Sequence, residues 1–533
     1  MAFDKNKKSG EEGKLGSGEQ PLRISSLTLG SSDYAKLSGT GGQGTRLGER
    51  LTLKSLYLGT ESSPSATAKE CETEYRIPSI CRMRWFPTYG VSDGNGSSIS
   101  LIANKLYGKI MTVLKRKSLP YDPTAVVMQL MAMDSIYCAY ECAVRAYKAA
   151  NTTSLDNAYL PSALCEACGF NYADMVANKS NVYFDLATMR TALTEYLIPK
   201  DYKMIGRHLD MCKYIYRDSP SNKAQLYVFT PDYLWSWAKV DTHGKLTAGK
   251  FGSAGTGVTI WKKWSDFRDN WNNMLNAILN STSFKDINAG IRSVWAESDV
   301  YTMDLPDITA SLEYTQDDAV LSAICNMTPI GDVPVNEVES FAPQDVYPNY
   351  FVIQPELKVK DNPNLNTLFN AMTESPTASE FVQMASWHCA FELDKSTGLT
   401  TDSIVKVKSC GSEVFTVCEA ISEEARPFLK FTDSNGNQHE FTWVVFPACA
   451  FMEPFADSQR KVVTSFLRVS IATAFRWHPL LFISIKVASE STLGNGSDVV
   501  TMPVGDWNYC AEASTSDIRD WHTAALFETN GLA

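Results

Sequence analysis

Residues 122–151 constrain this chain more than any other stretch. Asp122 stands before Pro123, the pairing of an N-cap with a first-turn proline, and Val126, Val127, Leu130, Met131, Ile136, Tyr137, Tyr140, Val144 and Tyr147 follow. The spacing predicts one long helix. Its apolar residues take up most of the circumference, broken by Gln129, Asp134, Ser135, Glu141, Arg145 and Lys148, so other elements must nearly enclose it. At about 1.5 Å per residue it crosses a whole domain. Asp134 and Glu141 argue against a membrane span, because an uncompensated charge near a bilayer centre costs roughly 2.5 kcal/mol or more.

A chain of 533 residues with 44% hydrophobic content has room for two or three domains and large cores around that spine. It carries no apolar leader and no uninterrupted membrane-length run, which predicts synthesis and retention in the cytosol, or release without secretion. Thirteen cysteines without framework spacing fit buried, reduced thiols. The net charge of −11 weighs against tight wrapping of nucleic acid through phosphate neutralisation. Residues 1–60 hold nine Lys or Arg against six Asp or Glu, a mild excess of positive charge. Lys5, Lys7 and Lys8 are followed at once by Glu11 and Glu12, so a solvated tail is the plainer reading and a weak RNA contact the functional one.

Residues 1–66 are rich in Gly, Ser, Thr and Lys, with too little apolar surface to offset the entropy of ordering them. A flexible N-terminal arm is expected there. Short alternating echoes at residues 26–31 and 55–60 suit strand addition to a sheet edge, although six residues also repeat by chance. Ordered structure is expected from about Glu74. Helical patterns then run from about Ser98 and from Tyr159, with Gly169 as a stop, and a strand alternates over residues 223–229. Residues 242–257 read as a glycine-containing loop. Six of the twelve tryptophans lie between Trp235 and Trp295, and Trp261, Trp264 and Trp271 recur at helical spacing, which suits a core or a protein interface. A helix is expected over 377–391, strands over 404–408, 413–418, 427–432 and 440–446 with a turn at Ser434-Asn435-Gly436, a helix over 457–475, and an amphipathic helix over 514–528.

Enzyme signatures fail one by one. Residues 244–250 have phosphate-loop spacing, but Phe251 replaces the magnesium-binding Ser or Thr and no clear strand leads in. Cys165 and Cys168 form a lone CxxC, and Cys138 and Cys142 lie on the spine, where burial explains them better than zinc does. The six histidines are dispersed, with no zinc-protease spacing and no nucleophile elbow. No catalytic, cofactor or metal residues are expected.

The order of segments resembles one family. Leu130-Met131-Ala132-Met133-Asp134-Ser135-Ile136-Tyr137, Tyr159-Leu160-Pro161, Ala224-Gln225-Leu226-Tyr227-Val228-Phe229 with Trp235, Tyr301-Thr302-Met303-Asp304-Leu305-Pro306, Arg476-Trp477-His478-Pro479 and Gly505-Asp506-Trp507 are similar to the capsid proteins of picobirnaviruses. The likeness runs from about Ile80 onward, weakly over 311–446 and not at all in the arm. It implies a non-enveloped icosahedral shell of homodimers around segmented double-stranded RNA and a polymerase, made in the host cytoplasm and carried in the virion. It also raises contact with a host membrane during infection. The arm lacks a dense basic block, so RNA and polymerase are expected to be weakly bound.

The resulting expectation is a predominantly α-helical, α+β chain: a flexible arm over 1–66, a helical shell domain over 67–235 and 445–533, and a smaller β-containing projecting and dimerisation region over 236–444. Trp261, Trp264 and Trp271 are the candidate interface, and Lys5, Lys7 and Lys8 the candidate RNA contact. The rival readings are a cytosolic RNA-binding protein, which needs a basic face despite the acidic total, and an enzyme whose site is hidden from the linear sequence.

Overall fold

The computed structural model of the chain describes residues 50–53, 72–76, 80–88, 90, 98–153, 160–221, 224–240, 243–253, 259–331, 411–432 and 509–530, with short strands and turns between 339–409 and 438–504. The described helices concentrate between Ser98 and Ile324, and strands dominate afterwards, so the chain is α+β.

The expected spine forms. With α1 assigned to Ser98–Leu114, the spine is α2, Pro123–Asn151. Asp122 takes the N-cap position with φ −89° and ψ 159°, yet its side chain makes no capping bond; Pro123, with φ already fixed, starts the helix without it. Helices α3 (Leu160–Ala167), α4 (Tyr172–Ala177), α5 (Lys179–Leu193), α6 (Lys203–Lys213), α7 (Trp264–Leu279) and α8 (Thr282–Val294) pack around α2 together with α1. Polar groups on an enclosed helix need internal partners. Arg145 finds three, donating to the carbonyls of Met211 and Tyr214 at 3.0 Å and of Phe229 at 2.7 Å. Met211 and Tyr214 lie at the C-terminal end of α6, where the last carbonyls lack helical partners, so a buried cation closes that end.

The sheet beside the helices uses β1 (Arg50–Leu53), β2 (Glu72–Arg76), β3 (Ile80–Pro87), β4 (Ile215–Arg217), β5 (Leu226–Pro231), β8 (Tyr314–Thr315), β9 (Glu413–Thr432) and β10 (Gln438–Ala448), while β6 (Tyr233–Val240) and β7 (His243–Lys250) form a separate hairpin. The order across the sheet is β1-β2-β9-β3-β5-β4-β8, with β10 on β9. At its centre β3 is buried at every position, parallel to β5 from Ile80 opposite Leu226 to Trp85 opposite Pro231, and antiparallel to β9. A strand covered on both faces is normally all apolar. This one reads Ile80-Cys81-Arg82-Met83-Arg84-Trp85, so two guanidinium groups enter the centre of the sheet and need buried partners there.

Several expectations change. Half of residues 242–257 is strand: β7 pairs with β6 from Val240 opposite His243 to Tyr233 opposite Lys250, because alternation across a tight reversal outweighs two glycines. The stretches 413–418 and 427–432 are parts of one strand, β9, whose register shifts absorb the intervening residues. Ala390–Leu393 is a strand, at a position expected to end a helix. Nearly all of 377–389 and 453–471, and the turn at 434–436, lie outside the described residues, as do both arm echoes and Lys5, Lys7 and Lys8. The division at 236 and 444 runs through shared packing: α7 and α8 lie on α2, and β9 is bonded to β3. The final helix, Thr515–Thr529, starts with a capping box between Ser514 and Asp517.

Gly169 ends α3 as expected, in the left-handed region at φ +92°. Its N–H donates to the Glu166 carbonyl and that of Phe170 to the Cys165 carbonyl, closing the helix end. A Cβ here would lie 2.6 Å from Phe251 Cε1. Gly169→Ala is therefore expected to cost about 1–3 kcal/mol of stability, read as a lower urea midpoint with an unchanged slope. An unchanged midpoint would mean that the turn relaxes freely.

Candidate functional site

The strongest concentration of chemistry in the described residues is a buried ionic seam that joins the sheet to the spine. Its first part lies on β3. Arg84 donates to an oxygen of Asp232 and, at 3.3 Å, to Glu419 Oε1; Arg82 Nη1 lies 3.3 Å from Glu419 Oε2. Arg82 also donates to the Thr259 carbonyl at 3.1 Å, and Thr416 Oγ1 donates to Asp232 Oδ2 at 2.5 Å. Two cations therefore face two carboxylates, all buried. Burial pushes the Arg82 guanidinium below its ordinary value, partly offset by Glu419.

The second part lies between α2, α6 and β9. His208 on α6 sits between Asp134 of the spine, 2.7 Å from Nδ1, and Glu413 of β9, whose Oε1 is 3.2 Å from Nε2 as an ion-pair contact. Arg207 Nε lies 2.8 Å from the same Glu413 oxygen, which also accepts from Ser412 Oγ at 2.7 Å. The imidazole stands against the Trp85 ring, centroids 4.9 Å apart. Burial alone pulls the His208 pKa down, but Asp134 and Glu413 reverse this and hold it at about 9. Burial likewise pushes Glu413 up, while Arg207, His208 and Ser412 bring it below the ordinary carboxylate range. With His208 charged, this cluster too balances two cations against two carboxylates.

An acid, a histidine and a second acid resemble part of a hydrolytic triad. Chemistry there would need an exposed nucleophile. Asp134, His208 and Glu413 are all fully enclosed, and both histidine nitrogens face carboxylates. The seam instead ties α2, α6 and β9 into one body. The described cysteines follow the same pattern: Cys138, Cys142, Cys165, Cys168 and Cys212 are buried, with burial pushing the Cys138 thiol up to about 12. No group of three or more metal-binding side chains occurs among the described residues.

The structure places the tryptophans of the candidate interface inside the subunit. Trp271 donates its ring N–H to the Ile136 carbonyl of the spine at 3.0 Å, and Trp264 donates its ring N–H to Asp185 Oδ2 at 2.7 Å and its backbone N–H to Asp174 Oδ2 at 2.6 Å. Trp261 meets Phe251 and Phe267 edge to face. All three side chains are at least 92% buried within one chain: Trp264 braces α4 and α5 from behind, and Trp271 is tied to the spine. Trp264 and Trp271 share one side of α7, while Trp261, expected on the same helix, precedes it and bridges to Phe170; which body that side meets is not encoded in the spacing. The seam is hidden in the sequence because its carboxylates lie far along the chain from the cations they meet. The available signal is charge within otherwise apolar elements, Arg82 and Arg84 in β3 and Asp134 in α2.

Comparison with known proteins gives a consistent picture. A family model described as picobirnavirus capsid protein matches residues 45–368. The capsid protein precursor of Human picobirnavirus (strain Human/Thailand/Hy005102/-) is 24% identical over 301 residues, which cover 56% of this chain and 53% of that precursor, so the alignment spans about half the relative's length. The crystallographic structure of the picobirnavirus capsid shares the fold, with a TM-score of 0.71 and 16% identity over 91% of this chain and 93% of that one.

Proposed function

This chain belongs to the picobirnavirus capsid protein family, and on that premise we propose that it builds a viral shell. The family is structural, and the chain is not an enzyme. The observation that carries the proposal is the shared fold along nearly the whole length of both chains. The subunit itself suits the task. The buried charges of the seam are paired with one another, and the spine is enclosed.

In this reading copies associate as dimers and close into a non-enveloped icosahedral shell around segmented double-stranded RNA and its polymerase. Apart from Arg50–Leu53, which pairs in the sheet as β1 where a flexible arm was expected, the arm over 1–66 faces the contents, with Lys5, Lys7 and Lys8 making weak phosphate contacts. An acidic subunit holds RNA loosely, which suits a stiff genome transcribed inside its container. The projecting part draws on strands between Glu339 and Ser409, because α7, α8 and the start of β9 share the core with the spine. Assembly takes place in the host cytoplasm, and the product is the virion. Membrane contact during infection belongs to the same reading; no described helix is long and apolar enough to cross a bilayer.

Sedimentation of the purified chain at near-physiological salt, beside a version lacking residues 1–66, tests this proposal. Uniform, closed particles are expected from the full chain, and their loss on truncation would give the arm a part in closure. Subunits that stay small across salt and pH would contradict the proposal.

A further inference from the structure

The surface formed by α4 and α5 differs from the rest of the helical layer. Residues 173–194, all described, include four charged side chains, Asp174, Lys179, Asp185 and Arg190. Only Arg190 among them is exposed, and its Nε donates to the Met303 carbonyl at 2.9 Å. Asp174 and Asp185 are turned back onto Trp264, whose two N–H groups they accept, and Arg268 approaches Asp185 at 3.7 Å. The other exposed side chains of this stretch are Ala, Val, Ser, Asn, Phe and Thr. Thr188 and Thr191 each donate to the carbonyl four residues earlier, at 3.0 Å, so their hydroxyls are already bonded within the helix.

A large apolar group stands on this neutral ground. Phe184 is 69% exposed, and Val176 44%. Tyr183 links Phe184 to Tyr147 of the spine, with centroids 6.4 and 5.8 Å away, and the Tyr147 hydroxyl donates to the carbonyl of Ile308, itself 61% exposed. Phe184 is thus backed by Tyr183 and, through it, by Tyr147 of the spine.

Copies of a chain with a net charge of −11 repel one another, so they approach at least cost where charge is absent and polar groups are already bonded. Interface centres are depleted of charge and anchored by aromatic side chains. A phosphate backbone would find one exposed cation, Arg190, with Lys179 half-buried and Arg268 already turned to Asp185, which leaves a second copy of the chain as the better occupant. We propose that the α4–α5 face, with Phe184 as anchor, is a contact between neighbouring copies in the shell. Trp264 holds the two aspartates off that face. The proposal rests on the capsid reading and specifies its surface.

The test compares full-length wild type with Phe184→Asp, Thr188→Arg and Phe184→Leu by light scattering and electron microscopy, with circular dichroism and thermal unfolding as fold controls. Both charged variants are expected to fold as wild type does but to lose particle yield by about tenfold or more, while Phe184→Leu assembles. Wild type that forms no particles overturns the capsid reading and this contact with it. Wild type that assembles beside charged variants that assemble equally well overturns the contact alone. If, in that second case, wild type floats with phosphatidylcholine vesicles and Phe184→Asp does not, the face belongs to a lipid surface.

Discussion

Replacing Asp232 with alanine is expected to destabilise the subunit by about 3–5 kcal/mol, the usual result of removing one partner from a buried ionic cluster. Asp232 pairs with Arg84 and accepts from Thr416, and without it Arg82 and Arg84 share the single carboxylate of Glu419. One buried positive charge is then uncompensated between β3 and β9, at the centre of the sheet. Urea unfolding of the purified subunit measures this loss. Adding Arg84→Met to Asp232→Ala should recover part of it, because the orphaned cation goes as well. A loss below about 1 kcal/mol in the single variant would mean that water reaches the seam and the ionic pairing contributes little.

The second large effect is alkaline. His208 is held at about 9 in the folded chain, against 6.5 for an ordinary histidine, so the folded state binds its proton more tightly than the unfolded state does. The resulting stability is complete below about pH 6.5 and is lost as pH rises through about 9, an amount on the order of 3 kcal/mol. Deprotonation leaves Asp134 and Glu413 facing each other across a neutral ring, with Arg207 the remaining cation. Glu141, which burial pushes up to about 7, titrates at the lower edge of this range, so the comparison must isolate the histidine. Unfolding midpoints at pH 6, 8 and 10 should fall steeply for wild type and little for His208→Gln, which starts lower. Parallel slopes in the two proteins would remove His208 as the cause.

Much of what depends on neighbours along the chain is legible in the sequence, although the β6–β7 hairpin and the strand at Ala390–Leu393 are not. The spine was read from its apolar circumference and the proline at its start, the stop at Gly169 from glycine's access to positive φ, and the last helix from its amphipathic pattern. Collinear likeness to a family supplied the role, which no single motif carried. The seam was not legible, because Arg84 and Asp232 are 148 residues apart and Arg84 and Glu419 335 apart, and pairing at such range follows from the sheet order alone. The tryptophan-rich region is legible as a place of large buried contacts, but its spacing does not say whether core or neighbour supplies them; the subunit's own α2, α4 and α5 do so for Trp271 and Trp264. The α4–α5 face drew no notice because its composition is ordinary. Only the folded structure separates the charges turned inward from the neutral side chains turned outward.

An electron cryo-microscopy reconstruction of particles formed by the full-length chain would test the central claim most directly. Closed shells are expected, each subunit built on the 122–151 spine and meeting a neighbour across the α4–α5 face. Preparations that contain only monomers, or open aggregates without a repeating contact, would contradict it.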